Sequence, residues 1–118
     1  MTMIDLETFK SLAGVELGAP APKPTSIEGN QMEAATSLWS SPDGKLDVGV
    51  WECTPGCFTA DRSDSTEICH IVSGKAEMRD HQGQSRVLGP GDLLVLPKGW
   101  KGEWRIIETT RKLYLIQA

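Results

Sequence analysis

At 118 residues the chain is long enough to build one hydrophobic core without disulfides. Its 12 basic and 16 acidic residues, net charge -4, are interspersed and form no basic stripe, which argues against DNA or RNA as a partner. No window approaches the roughly 20 apolar residues needed to span a bilayer. The start MTMIDLETFKSL lacks a charged-then-apolar export pattern, so a cytoplasmic protein with no membrane partner is expected.

In chain order, Leu6, Phe9 and Leu12 recur three apart, with Thr2 or Asp5 as N-cap and Gly14 beyond the last apolar residue. That spacing predicts a short amphipathic helix over Asp5 to Leu12. The stretch Gly18 to Thr25, GAPAPKPT, alternates three prolines, which remove backbone donors and favour extended chain. Residues 1–32 are therefore expected to form a helix and a proline-rich arm, and residues 33–118 a single barrel.

From about Glu33 onward the pattern becomes short strands separated by turns. Ser41-Pro42-Asp43-Gly44 turns into a strand Lys45 to Cys53, closed by Thr54-Pro55-Gly56. Glu67 to Val72 is a strand ended by Ser73-Gly74. Lys75 to Arg79 runs into the hairpin turn Asp80-His81-Gln82-Gly83, from which Ser85 to Leu88 returns. Leu93 to Leu96 reads as a buried strand between Gly89-Pro90-Gly91-Asp92 and Pro97-Lys98-Gly99. Glu103 to Ile107 and Lys112 to Gln117, joined by Glu108 to Arg111, bring the count to about seven or eight, which suits a jelly roll of two facing sheets. Cys53, Cys57 and Cys69 are an odd number without an export signal, so free thiols are expected.

The segment Gly89 to Gly99, GPGDLLVLPKG, resembles the second cupin motif, and Glu67 followed by six residues and Gly74 resembles the end of the first. Together with Gly49 to Gly56, Gly99 to Trp104 and Arg111-Lys112, these make the chain similar, over about Leu38 to Gln117, to the ureidoglycine aminohydrolase cupin-domain family within the RmlC-like cupins. The resemblance implies an all-β cupin jelly-roll barrel, or double-stranded β-helix. It also implies a metal site of two histidines ahead of the glutamate and a third after Pro-x-Gly. Here Asp61 to Thr66 contains no histidine, the third position falls at Gly102, and only Glu67 remains. One carboxylate cannot replace three imidazoles for Mn, Fe, Ni or Zn. No tightly held cofactor is expected; Asp61 or Asp64 beside Glu67 would support only weak divalent metal binding. A zinc site from Cys53, Cys57, Cys69 and His70 is the other composition to weigh, but strand alternation puts Cys69 and His70 on opposite faces.

If Glu67 points inward, as the motif implies, Cys69 and Ile71 follow it and His70 faces out. His81 lies in a turn, solvated. An inward carboxylate should titrate high unless a cation pairs with it, which makes Glu67 a candidate catalytic acid or base. The plain alternative is a salt bridge to Arg62 or Arg105. The polar run Asp61 to Thr66 favours a Glu67 left unpaired for a ligand, for which Glu67→Gln would raise stability. Trp51, Trp100 and Trp104 fit either a core or a pocket wall, Trp104 best because its parity matches Gly102. Arg62, Glu67, Cys69, Trp51 and Trp104 are thus the candidate ligand-binding residues. The expected function is binding of a small polar metabolite, with an aminohydrolase-like or isomerase-like enzyme using Glu67, or a structural dimerisation module, as alternatives. A homodimer is expected.

Overall fold

The computed structural model describes residues 5–118. These form nine strands: β1 (Ala21–Pro22), β2 (Ser26–Glu28), β3 (Met32–Ser40), β4 (Leu46–Cys53), β5 (Gly56–Asp61), β6 (Thr66–Asp80), β7 (Ser85–Leu88), β8 (Leu93–Leu96) and β9 (Lys101–Gln117). All pair antiparallel in one curled sheet. Its spine is β6 against β9. The C-terminal half of β9 also pairs with β4 and its N-terminal half with β5, while β6 takes β8 and β7 along its other edge.

The long strands explain where short ones were expected. Ser73-Gly74 looks like the end of a strand, yet β6 runs through it, with the register against β9 shifting between Ile71 and Ala76. Such a bulge bends the strand so that one chain segment serves two parts of the wall. Gly74 adopts φ +93°, and a side chain there would strike the Thr109 carbonyl of β9. For the same reason Glu103 to Ile107 and Lys112 to Gln117 are one strand.

Inside the curl, alternation on β6 points Glu67, Cys69 and Ile71 inward, with Ile68 and His70 on the other face and partly exposed. Phe58 stacks on Trp104, with centroids 6.1 Å apart and planes 8° apart, and Trp51 meets Phe58 edge-on at 5.8 Å. These rings, with Cys53, Cys69, Ile71, Leu96 and Ile106, form the core.

Three expectations are corrected. Asp5 to Leu12 is not an α-helix: Leu6–Phe9 and Leu12–Gly14 are separate 3-10 turns. Leu6 is 69% exposed and Phe9 42%, so the apolar stripe has nothing to pack against, and so short a helix does not stand alone. Asp5 does cap, accepting from the Glu7 N–H, whereas Thr2 lies outside the described residues. The proline stretch is stitched into the sheet through β1 on β3, and β2, which follows it directly, pairs with β5. Pro22 is tolerated there because β1 is an edge strand. Leu93–Leu96 is an edge strand rather than a buried one; Leu96 is buried, but Leu93 and Val95 face outward, exposed. Among the described residues no helix is long and apolar enough to cross a membrane.

Candidate functional site

The barrel encloses a cavity of about 290 Å³ walled by β3, β4, β5, β6 and β9. Glu67 enters it from β6, and its carboxylate lies 3.0 Å from the Lys112 ammonium of β9. Both side chains are almost fully enclosed. Lys112 stands directly opposite Trp51 across the β4–β9 pairing. Its ammonium rests 4.4 Å from the ring centres of both Trp51 and Trp104, so the aromatic faces share in stabilising the charge.

Arg62 follows β5. Its backbone is fixed at both ends, the N–H donating to the Trp100 carbonyl at 2.8 Å and the carbonyl accepting from the Gly99 N–H at 2.7 Å. The guanidinium donates to the Ser65 hydroxyl at 3.3 Å and approaches the other Glu67 oxygen at 3.8 Å, too far for a hydrogen bond. The Arg62 Nε is buried without any hydrogen-bond partner.

Two further polar pairs complete the wall. Lys23 reaches over the Phe58 ring at 4.2 Å and pairs at 2.9 Å with Glu33, whose same oxygen accepts from the Trp51 Nε1. Tyr114 donates to Asp47 at 3.0 Å. The Tyr114 hydroxyl fits because residue 49 is glycine; any side chain there would collide with it and with the Thr36 carbonyl.

Burial pushes the Glu67 carboxyl up, but the Lys112 ammonium, helped by Arg62, pulls it further down, so it is held below the usual glutamate range. Glu33 is likewise lowered: burial raises it, and the bonds from Lys23 and Trp51 more than offset that. Burial pushes Cys69 up to about 12 and Cys53 to about 11, and Tyr114 to about 12 with the Asp47 bond adding to it. At neutral pH the cavity therefore presents ionised carboxylates against ammonium and guanidinium groups, while these thiols stay protonated and poorly nucleophilic.

Of the sequence candidates, Arg62, Glu67, Trp51 and Trp104 line the cavity. Cys69 is fully buried and is not among the cavity wall. Arg105 points elsewhere, pairing with exposed Glu28 at 2.9 Å. The expectation of an unpaired Glu67 is overturned by Lys112. Sequence reasoning missed Lys112, Lys23, Glu33, Asp47, Phe58 and Tyr114. The signals for Lys112 are its place in the Arg111-Lys112 pair of the family resemblance and the strand parity it shares with Tyr114 and Ile116. A larger outer groove of about 520 Å³ borders Asp61, Asp80 and His81. Asp61 and Asp80 are spent on local turns, the first on Ser63 and the second on Gln82 and Gln84, and Glu103 accepts from the Cys57 thiol; among the described residues these carboxylates form no metal-type cluster.

A transition metal of the cupin kind does not fit these residues. Glu67 already faces an ammonium, and a side chain at Gly102 would run into the Arg79 carbonyl and the Trp100 ring. Among the described residues no three His, Cys, Asp or Glu side chains converge, so Cys53, Cys57, Cys69 and His70 form no zinc set either.

A family model described as the EutQ-like cupin domain matches residues 40–114. The chain belongs to the EutQ-like cupin family. Among solved structures, the Clostridium difficile EutQ protein aligns over 96% of this chain and 82% of its own, with TM-score 0.75 and 19% identity. KdgF from a Halomonas species aligns over 72% of this chain and 77% of its own, with TM-score 0.62 and 18% identity. Both share the fold. A DUF861 family protein from Thermotoga maritima is 34% identical over 55% of this chain and 73% of its own, with TM-score 0.53. No curated protein matches the chain. The family match is coarser than the ureidoglycine aminohydrolase likeness, which none of these comparisons names.

Proposed function

We propose that this cupin binds a small polar metabolite inside its barrel and does so without a tightly held transition metal. The observation that carries this reading is the convergence, on one cavity of about 290 Å³, of the Lys112–Glu67 ion pair, the Trp51 and Trp104 faces and an Arg62 with an unsatisfied Nε. Convergence of polar groups inside an aromatic-walled cavity is a form that small-ligand sites take. The volume sits at the small end of that class, which suits a compact metabolite. Two cations hold the Glu67 carboxyl below the usual glutamate range, which disfavours it as a proton donor and favours binding over an aminohydrolase-like or isomerase-like reaction with Glu67 as acid. We also propose a homodimer as the working form and the cytoplasm as its place.

The test is a thermal-shift screen of small polar metabolites on untagged protein dialysed against EDTA. At least one compound is expected to raise the melting midpoint in the chelated protein, by linkage of binding to folding, and to lose that effect in Arg62→Ala. Shifts that appear only after Mn, Fe, Ni or Zn is restored, or a panel in which nothing shifts, would overturn the proposal.

A further inference from the structure

The polar groups of the cavity are unevenly satisfied. Each of its carboxylates is met by the protein's own groups on at least one oxygen: Asp47 accepts from Ser37, Ser40 and Tyr114, Glu33 accepts from Lys23 and Trp51 on a single oxygen, and Glu67 faces Lys112 with one oxygen and Arg62 at 3.8 Å with the other. Its cations are met less fully. An ammonium carries three donors and a guanidinium five. Lys23 engages one carboxylate oxygen and otherwise lies over Phe58; Lys112 engages one and otherwise faces Trp51 and Trp104. Arg62 has one long bond to Ser65 and a buried Nε with none.

The cavity is therefore short of acceptors rather than of donors. A cationic ligand would sit beside three positive groups, with Asp47 engaged on both oxygens and Glu33 and Glu67 each already holding an ammonium. A neutral ligand of donor character would meet the same partly engaged carboxylates. An anionic oxygen displaces nothing. It offers the Arg62 guanidinium, which makes one long hydrogen bond to Ser65, a stronger acceptor, and it replaces ammonium–ring contacts by charge-assisted hydrogen bonds, which are the stronger interaction.

Resting on the binding function proposed above, we infer that the ligand is a compact oxyanion, in the first instance an organic carboxylate, held by Arg62 with Lys112 and Lys23, its body packed between Trp51, Trp104 and Phe58. The paired rings provide flat apolar walls, and the guanidinium plane provides the two-point geometry that a carboxylate accepts. The same donors would serve an inorganic oxyanion, which lacks the body that the rings would hold.

The experiment titrates chelated protein with matched probes that differ only in the headgroup: benzoate, benzamide and benzylamine, then 2-furoate and 2-furamide, with inorganic phosphate as a separate arm. Tryptophan fluorescence and calorimetry are the readouts. Each carboxylate is expected to bind at least about tenfold more tightly than its amide, the loss expected when a charge-assisted contact is removed, and benzylamine more weakly still. Arg62→Gln should weaken carboxylate binding by about the same factor. Lys23→Gln provides a second variant, expected to weaken the same probes, should Arg62→Gln not fold. Phosphate binding without carboxylate binding would uphold the oxyanion chemistry and assign it to an inorganic source. Amides or benzylamine binding as tightly as the carboxylates would overturn the inference while leaving metabolite binding intact. Absence of binding by every probe would overturn this inference, and the chelated metabolite screen would then decide whether the broader function stands.

Discussion

The Glu67 carboxylate and the Lys112 ammonium, 3.0 Å apart and almost fully enclosed, depend on each other, because without its partner Glu67 would be left with Arg62 at 3.8 Å and Lys112 with the Trp51 and Trp104 faces alone. Removing one partner should therefore be costly. Glu67→Gln is expected to lower stability by about 3 kcal/mol, the scale found when one member of a buried pair is lost, as read from the urea midpoint at pH 7. The double variant Glu67→Gln with Lys112→Met should cost less than the two single changes summed, since it removes both charges. A Glu67→Gln protein as stable as wild type would show that the pair contributes nothing. The pair also sets an acid limit. Glu67 titrates lower in the folded chain than in the unfolded one, so its stabilisation is complete above the unfolded value of about 4.3 and is lost as pH falls through the folded value. The urea midpoint of wild type should accordingly fall more steeply between about pH 5 and 3 than that of Glu67→Gln. The inward direction of Glu67 is legible in the sequence, because alternation follows from the motif. Its partner is not. Lys112, Tyr114 and Ile116 share one face of β9 and Leu113 and Leu115 the other, so both faces are largely apolar and the pattern alone does not say which one the barrel encloses.

At the scale of elements, the bulge at Ser73-Gly74 decides whether β6 can follow β9 around the bend. Gly74 has a positive φ and no room for a Cβ beside Thr109, whereas Gly83, in the hairpin turn, has φ +87° and open space around it. Gly74→Ala is expected to cost about 2 kcal/mol or more from strain and collision together, and Gly83→Ala about 1 kcal/mol from strain alone. Equal losses in denaturant titrations of the two variants would contradict the bulge as the tightly fitted point. The same feature shows where sequence reading stops. Ser-Gly and Glu-Thr-Thr-Arg carry turn chemistry, and the neighbour that keeps both segments in the ladder lies far away in the chain. The edge position of Leu93–Leu96 was hidden in the same way: an unbroken apolar run is compatible with burial on both faces, but here its alternate residues lie on the outer surface.

For the whole molecule, the outer surface of the sheet holds a cross-strand row of Trp39, Val48, Leu115, Ile68 and Val95, with Leu93 beside it opposite His70. Leu93 is 64% exposed and Val95 52%. A second copy covering this face is the form the proposed homodimer would take. Light scattering at tens of micromolar is expected to give twice the chain mass for wild type and the single mass for Leu93→Glu with Val95→Lys, in line with the loss of an apolar contact. A monomeric wild type would contradict it.

The all-β cupin architecture was legible because glycine-proline corners and Pro-x-Gly are local signals, whereas the cavity is assembled from five strands whose lining residues lie far apart in the chain. That cavity is tested most directly by the tryptophan indole N–H signals in a two-dimensional nitrogen–proton spectrum. The EDTA-treated protein would be titrated with the metabolite that stabilises it most. Trp51 and Trp104 are expected to shift together and saturably, with outer-face Trp39 unmoved; movement of Trp39 alone, or no shift of Trp51 and Trp104 at saturating ligand, would contradict binding inside the barrel.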